Sequence, residues 1–279
     1  MTSGIEPARN FGVIREAAAE ARRSGGDMLF TPEMSLLLDR DRARAASHIV
    51  TQDQSPFVPL LRNVAAEHGL FLALGSMAVA LPDGRWANRS MLFSPSGAPP
   101  VTYDKMHMFD VDLAGGESWR ESNAYRPGNR VVAQDVSLAP GTRAGIEAET
   151  LRLGLSICYD LRFPALFDAL GRQSCDVIAV PAAFTVPTGE AHWHVLLRAR
   201  AIEASAYIVA AAQVGAHEDG RRTYGHSLVV DPWGEVLLDM GGPDDGGAPG
   251  LGFAEIDLAR IAEVRAQLPS LANRREIAT

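Results

Sequence analysis

The chain has 279 residues, 47% of them hydrophobic, which is enough for a large core in one big domain or two small ones. No apolar run is long enough to cross a membrane, and a net charge of −8 without a patch rich in Lys and Arg argues against a nucleic-acid partner. The two cysteines, Cys158 and Cys175, are too few for a disulfide scaffold, and no apolar signal segment opens the chain. We therefore expect a globular cytoplasmic protein with neither a membrane nor a nucleic-acid partner.

Helical and extended patterns alternate in the first part of the chain, and strands pair as hairpins elsewhere. Apolar residues at helical spacing predict helices at residues 7–24, 56–68, 163–172, 189–205 and 258–267. Short apolar runs predict strands at residues 27–33, 70–79, 86–93, 99–103, 130–136, 151–157, 176–180, 207–212, 226–230, 235–238 and 252–256. Loops are expected around Pro140 and Gly141 and at residues 241–250.

This mixture indicates an α/β fold with mixed sheets. No linker, internal repeat or low-complexity segment divides the chain. Residues 1–279 are therefore expected to form one domain.

The apolar run at residues 151–157 stops at Cys158, and Pro164 lies where a helix can begin. Cys158 is thus expected at the carboxyl end of a strand, where ligands bind in open α/β sheets and a turn can present backbone N–H groups. This position suits a nucleophile. For Cys158 alone, a buried inert cysteine is at least as good an interpretation, and it is the one that we adopt for Cys175.

Three charged residues also come after predicted strands. Glu33 ends the strand at 27–33, Lys105 follows the strand at 99–103, and Glu121 lies in the next loop. A charged residue directly after a buried strand is costly unless it is paired, so each position is either a surface turn or part of a functional site. A surface turn is the commoner explanation for each one alone, but together with Cys158 they supply a nucleophile, a base and a cation.

These three roles are what thiol chemistry on an amide requires. A thiol needs a base or a nearby cation to form thiolate, and a carboxylate can take the proton and return it to the departing nitrogen. An ammonium group and a backbone N–H can stabilise the developing oxyanion. Glu33, Cys158 and Lys105 fit the roles of base, nucleophile and oxyanion partner.

Three segments carry a family resemblance: Phe30-Thr-Pro-Glu33-Met-Ser, Tyr103-Asp-Lys105-Met-His-Met-Phe-Asp and Ser156-Ile-Cys158-Tyr-Asp-Leu-Arg-Phe-Pro. The chain resembles the nitrilase superfamily of carbon-nitrogen hydrolases, whose Glu-Lys-Cys triad matches Glu33, Lys105 and Cys158 and whose second glutamate matches Glu121. The resemblance implies a four-layer αββα sandwich and a homodimer or higher homo-oligomer. It implies no metal or organic cofactor.

The expected reaction follows from these assignments. Glu33 takes the Cys158 proton, the thiolate attacks an amide carbonyl, and Lys105 with the Tyr159 N–H holds the oxyanion. Ammonia leaves, and water hydrolyses the remaining thioester. Glu121 is expected to orient Lys105 or the substrate nitrogen.

Residues 191–203, 210–213 and 224–234 are most similar to the Nit branch of this superfamily. That resemblance implies amides of 2-oxo-dicarboxylic acids as substrates, with deaminated glutathione favoured over 2-oxoglutaramate. Arg162 is the candidate for binding the substrate carboxylate, and a local pair with Asp160 is its alternative. His192 and Trp193 are candidates for the pocket wall, although Trp193 is more typical of a packed residue.

Other functions remain compatible with the same residues. A nitrilase or an N-carbamoyl hydrolase would share the triad, and a silent binding member of the superfamily is a further alternative. The His192-x-His194 pair suggests a metal-dependent hydrolase only weakly, because two such side chains diverge by about 200° on a helix and no carboxylate cluster accompanies them.

The chain departs from the family at its start. Relatives carry an apolar strand ahead of the segment that matches Met1-Thr-Ser-Gly, and this sequence does not. Since that strand lies inside a sheet, we expect backbone groups and apolar side chains beside it to lack cover. Either the true start lies upstream or this form is less stable, and an added strand should raise the melting temperature.

Overall fold

The computed structural model describes residues 1–112, 118–138, 149–245 and 247–275. Within these ranges the α-helices are α1 (Pro7–Arg23), α2 (Arg42–Ala46), α3 (Phe57–His68), α4 (Pro164–Arg172), α5 (Val186–Ala204) and α6 (Leu258–Gln267). The helices predicted from the sequence are confirmed. None of the helices in the described ranges is long and apolar enough to cross a membrane.

The strands are short apart from those near the middle of the first sheet. They are β1 (Met28–Phe30), β2 (Phe71–Ala80), β3 (Trp86–Phe93), β4 (Val101–Asp104), β5 (Asp110–Asp112), β6 (Ser118–Arg120), β7 (Ala133–Leu138), β8 (Glu149–Leu155), β9 (Val177–Ala179), β10 (Tyr207–Ala210), β11 (Val214–Ala216), β12 (Arg222–Tyr224), β13 (Leu228–Val230) and β14 (Val236–Asp239). The loop predicted around Pro140 and Gly141 lies outside the described residues, as does residue 246 of the loop predicted at 241–250.

Two mixed sheets form the centre of the molecule. One has the strand order β1-β2-β3-β4 and the other has the order β14-β13-β10-β9-β8-β7. In the first sheet β1 runs parallel to β2, and in the second β9 runs parallel to both β8 and β10. The remaining pairs within these two sheets are antiparallel, which confirms the predicted mixed α/β architecture.

The alternation of side chains along β2 separates the layers. Leu72 and Leu74 pack in a cluster with Ile14 of α1 and Leu61 of α3, whereas Ala73 between them joins the larger cluster that contains the second sheet. Side chains of α4 and α5 complete that larger cluster from the other side. Helices therefore cover the outer faces of two packed sheets, which confirms the four-layer αββα sandwich.

The strand predicted at residues 252–256 is wrong, because residues 251–257 carry no regular secondary structure. A cavity of about 1460 Å³ separates this stretch from β1, and its wall includes Leu29, Leu228, Leu238 and Leu251. A strand forms only beside a pairing partner, and in the described residues nothing pairs with the outer edge of β1. We call this region the open edge; it agrees with the expected lack of a first strand.

Candidate active site

The turn that carries Cys158 is held by backbone hydrogen bonds. Beyond the end of β8, the Ser156 hydroxyl donates to Ala179 O at 2.7 Å and Cys158 N donates to Pro181 O at 2.8 Å. Cys158 then adopts a left-handed backbone with φ of 49° and begins a short 3₁₀ turn, Cys158–Arg162. A non-glycine residue in this region is held there by its surroundings, so the fold fixes the direction of the thiol.

Asp160 ties the nucleophile turn to the strand that leads to Lys105. Its fully buried carboxylate accepts from Ile157 N at 2.9 Å and from the Tyr103 hydroxyl at 2.6 Å. The same carboxylate accepts from His107 N at 3.0 Å, and the His107 ring lies 2.7 Å from it. One buried side chain thus sets the position of the Lys105 loop relative to the Cys158 turn.

The predicted catalytic residues converge on one buried cluster, formed by Glu33, Lys105, Glu121 and Cys158, which we call the catalytic cluster. Lys105 Nζ lies 3.0 Å from Glu33 Oε1 and 2.9 Å from Glu121 Oε2. Lys105 is 2% exposed, Glu33 5% and Cys158 7%. The surface-turn interpretation does not hold for Glu33 and Lys105, which are buried, and the partly buried Glu121 is paired with Lys105.

Backbone and amide donors hold the two carboxylates in place. Asn88 Nδ2 donates to Glu33 Oε1 at 2.9 Å and to Glu121 Oε1 at 3.3 Å. Ala183 N donates to Glu33 Oε2 at 3.0 Å, and Phe109 N donates to Glu121 Oε2 at 2.7 Å. Asn88 was not predicted from the sequence, although an amide within a largely buried strand such as β3 is a usable signal. The backbone donors leave no signal in the sequence.

Burial and charge determine the protonation of the catalytic cluster. Burial alone would lower the pKa of Lys105, but the Glu121 and Glu33 carboxylates outweigh it and raise that pKa well above its ordinary value. Burial raises the pKa of the Cys158 thiol well above its ordinary value, the Glu33 carboxylate raises it further, and Lys105 offsets this only in part. The resting site therefore contains an ammonium ion and a neutral thiol.

Aromatic rings surround the turn at Cys158. The Tyr159 ring lies edge-on to Phe109 at 5.1 Å and to Phe163 at 5.3 Å, and His107 stacks on Phe163 at 3.6 Å. Tyr159 is the second residue of the 3₁₀ turn, and the first N–H groups of such a turn have no partner within it. Tyr159 is thus held by aromatic contacts in the residue directly after Cys158, and its role as oxyanion donor stays a prediction.

Arg162 and His192 meet at the rim of the site. Arg162 Nη1 lies 3.3 Å from His192 Nδ1, and the guanidinium lies 5.5 Å from the centre of the Phe184 ring. The carboxylate of Asp160, the local partner weighed as an alternative, instead contacts Tyr103 and His107. Among the described residues no carboxylate lies within ion-pair distance of Arg162.

Trp193 lies behind this rim. It is fully buried, its ring centre is 4.7 Å from that of Phe184, and Nε1 donates to His226 O at 2.8 Å. Phe184 follows Ala183, whose N–H contacts Glu33. Trp193 thus supports the site from the core, and a direct contact between Trp193 and substrate stays a prediction.

The two histidines of the His-x-His pair diverge, as expected for a helix. His192 faces Arg162, whereas His194 Nε2 lies 3.0 Å from Asp239 Oδ2. No carboxylate was predicted near this pair because Asp239 is 45 residues further along the chain than His194. Cys175 is fully buried, and burial raises the pKa of its thiol to about 12, which agrees with the inert role predicted for it.

Residues 3–266 match the family model described as carbon-nitrogen hydrolase. The chain is 38% identical over 262 residues to deaminated glutathione amidase of Yersinia enterocolitica, covering 92% of this chain and 84% of that protein. It is 37% identical over 279 residues to the human protein of the same name, covering 99% and 80%. The crystal structure of the C. elegans NitFhit protein superposes with a TM-score of 0.83 at 34% identity, over 99% of this chain and 63% of that chain.

Proposed function

The chain belongs to the carbon-nitrogen hydrolase family and is an enzyme of that class, and on this premise we propose that it is a thiol amidase acting on a small carboxylate-bearing amide. The observation that carries the proposal is the buried contact of Glu33, Lys105 and Glu121 beside Cys158. Deaminated glutathione is the substrate that we favour, since relatives named for that activity match nearly the whole chain. The proposal takes residues 1–279 as one catalytic domain.

The first step is proton transfer from Cys158 to Glu33. With Lys105 protonated between two carboxylates, the cluster carries one excess negative charge, and moving the thiol proton to Glu33 leaves that total unchanged. The high pKa of the thiol keeps Cys158 protonated until substrate arrives. Attack on the carbonyl carbon then places a negative charge on the substrate oxygen, where Lys105 and the Tyr159 N–H stabilise it.

The second half of the reaction reverses the proton transfer. Glu33 donates its proton to the amide nitrogen, the C–N bond breaks, ammonia leaves and a thioester to Cys158 remains. Glu33 then accepts a proton from water, the hydroxide attacks the thioester carbonyl, and the thiolate leaves with the returned proton. Glu121 keeps Lys105 in place throughout, since it contacts Nζ through both carboxylate oxygens at 3.1 and 2.9 Å.

Recognition of the substrate carboxylate is assigned to Arg162. The guanidinium is half-buried over aromatic rings, contacts His192, and has no carboxylate partner in the part of the chain that the structure describes. A guanidinium in a partly desolvated position binds a carboxylate through two parallel hydrogen bonds. We place His192 beside it as a second polar contact to the same group.

The experiment that tests this function measures ammonia release from a panel of substrates. The panel contains deaminated glutathione, 2-oxoglutaramate, a simple aliphatic amide, an N-carbamoyl amino acid and a nitrile, each given to wild type and to Cys158→Ala. We expect turnover of deaminated glutathione by wild type that iodoacetamide abolishes and EDTA leaves intact. Preferred turnover of another member would reassign the substrate, and turnover by Cys158→Ala that EDTA abolishes would overturn the thiol mechanism.

A second measurement isolates the role of Arg162. Arg162→Met should raise KM for deaminated glutathione about 10-fold or more, because truncation removes a charge-assisted bidentate contact. The simple aliphatic amide is the control, since it lacks the carboxylate. An equal loss on both substrates would assign Arg162 to the structure of the turn instead.

The proposed function also includes an oligomeric state and a cellular location. We propose a homodimer or higher homo-oligomer that works in the cytoplasm on small amides and water, without a nucleic-acid or membrane partner. Exposed apolar side chains on α5 and on the β13–β14 hairpin, among them Val195, Ile202 and Trp233, support self-association. Sedimentation velocity of wild type against Trp233→Ser tests the oligomer, and a monomer at micromolar concentration would contradict it.

A further inference from the structure

Three side chains with metal-binding atoms meet on the outer side of Trp193. His194 comes from α5, His226 precedes β13, and Asp239 ends β14. His194 Nε2 lies 3.0 Å from Asp239 Oδ2, and His226 Nδ1 lies 3.1 Å from the same oxygen. All three ligand atoms fall within 4.8 Å of one another. None of these residues takes part in the catalytic cluster.

The spacing suits a small divalent ion. Zn²⁺ binds imidazole nitrogen and carboxylate oxygen at about 2.1 Å in tetrahedral geometry, which sets neighbouring ligand atoms about 3.4 Å apart. Two of the three distances are already close to that value. The third, between the two nitrogens, is within 4.8 Å, and His194 is the ligand that would rotate to shorten it, because its side chain is 36% exposed.

The surroundings hold two of the ligands in advance. His226 has a left-handed backbone with φ of 53°, and its N–H donates to Gly241 O at 2.9 Å. Its ring stacks on Tyr224 at 4.4 Å. Gly241 N in turn donates to Asp239 Oδ1 at 2.9 Å. A strained residue fixed by backbone bonds, together with an oriented carboxylate, is the supporting shell that metal sites in proteins require.

We propose that His194, His226 and Asp239 bind one Zn²⁺ or similar divalent transition-metal ion as a structural clip. Two imidazoles and a carboxylate supply three ligands, and solvent supplies the fourth through the exposed side of His194. Each ring binds through the nitrogen that now faces Asp239; a neutral ring moves its proton to the other ring nitrogen, and a charged ring releases the facing proton to solvent. The ion joins α5 to the ends of β13 and β14. Trp193 contacts both the His226 carbonyl and the Phe184 ring, so the ion also restrains Phe184 beside the catalytic cluster.

The test measures metal binding in the Cys158→Ala background, which removes the catalytic thiol as a competing ligand. Isothermal titration with Zn²⁺ and the visible absorption of bound Co²⁺ report stoichiometry and geometry. Adding His194→Gln to this background removes one ligand, and His192→Gln is the matched control on the same helix. We avoid His226 because its strained, buried position makes misfolding of a variant a confounding result.

One equivalent of Zn²⁺ should bind, with a tetrahedral Co²⁺ spectrum and a rise in melting temperature. His194→Gln should weaken binding at least about 100-fold, and His192→Gln should change it less than about 3-fold. Absence of saturable binding by the Cys158→Ala protein, or equal affinity in both histidine variants, would overturn the site. Because every sample lacks the nucleophile, neither result depends on the proposed amidase activity.

Discussion

The catalytic cluster and the open edge lie in the same αββα sandwich, but the fold supplies polar partners to the first and leaves a cavity at the second. Around Glu33 and Glu121 the chain supplies buried donors from a lysine, an amide and two backbone N–H groups. At the open edge a cavity of about 1460 Å³ separates β1 from residues 251–256, where no strand forms in the described part of the chain. Four strands of the first sheet face six of the second.

The difference shows that the reaction depends on the catalytic cluster, whereas the open edge bears on stability without contacting the reacting groups. The contacts in the catalytic cluster are direct hydrogen bonds and ion pairs between groups that the fold brings together. At the open edge, apolar groups such as Leu228 and Leu238 line a cavity, which loses packing contacts without displacing a catalytic atom. Changes in the catalytic cluster should therefore affect the reaction most, and changes at the open edge should affect stability alone.

The largest expected effect is the loss of activity in Cys158→Ala. Removing the nucleophile should lower kcat by at least about 10⁴-fold, since no thioester can form. The melting temperature should change little, because the side chain is small. Ammonia release checks the first statement and thermal denaturation the second, with Cys175→Ala as a control that keeps full activity. Substantial turnover by Cys158→Ala would reject the mechanism.

The second prediction concerns the pH dependence of alkylation of Cys158. Because its folded-state pKa lies well above the ordinary value, the thiolate fraction should rise about tenfold for each pH unit from pH 6 to 9 without a plateau. Glu33→Gln removes a negative neighbour, which lowers that pKa and should speed alkylation at neutral pH while abolishing amidase activity. Rates of iodoacetamide labelling, measured by mass spectrometry, check both.

Glu121→Gln is the matched control for that variant. Its carboxylate contacts Lys105 rather than the thiol, so alkylation should change less than in Glu33→Gln. A plateau in the wild-type rate near neutral pH would mean that the thiol is already ionised at rest.

A third prediction tests the pairing inside the catalytic cluster. Lys105→Met leaves the Glu33 and Glu121 carboxylates buried without their cation, which should cost about 3–5 kcal/mol of the free energy of unfolding. The double variant Lys105→Met with Glu121→Gln should recover part of this loss, because one of the two unpaired charges is removed. Urea denaturation measures both, and equal stability of wild type and Lys105→Met would show that the buried pairs contribute nothing.

The smallest effect is expected at the open edge. An apolar β-strand fused ahead of Met1, which lies on the cavity wall, should fill the cavity and pair with β1. Each kcal/mol gained should raise the melting temperature by roughly 2–4 °C, while kcat stays constant. A Gly/Ser extension of equal length is the control. If the two extensions give the same melting temperature, the cavity is not a site for a strand.

The sequence alone predicted most of the helices and strands and the four residues that meet in the catalytic cluster. Leu72, Ala73 and Leu74 alternate between two clusters as strand periodicity requires, and α1 and α3 follow the apolar spacing of their residues. Glu33, Lys105 and Cys158 attracted attention because each follows an apolar run, and the family resemblance then assigned their roles together with that of Glu121. Such signals lie within short stretches of consecutive residues, so they can be recognised without the tertiary structure.

Only the tertiary structure decided what lies opposite those residues. Asn88, Asp160 and the N–H of Ala183 reach the catalytic cluster from distant parts of the chain, and Asp239 reaches His194 in the same way. Residues 252–256 have the pattern of a strand but none forms, because strand formation depends on a neighbour and not on the segment itself. Local patterns determine the elements, whereas partners are fixed only when the chain packs.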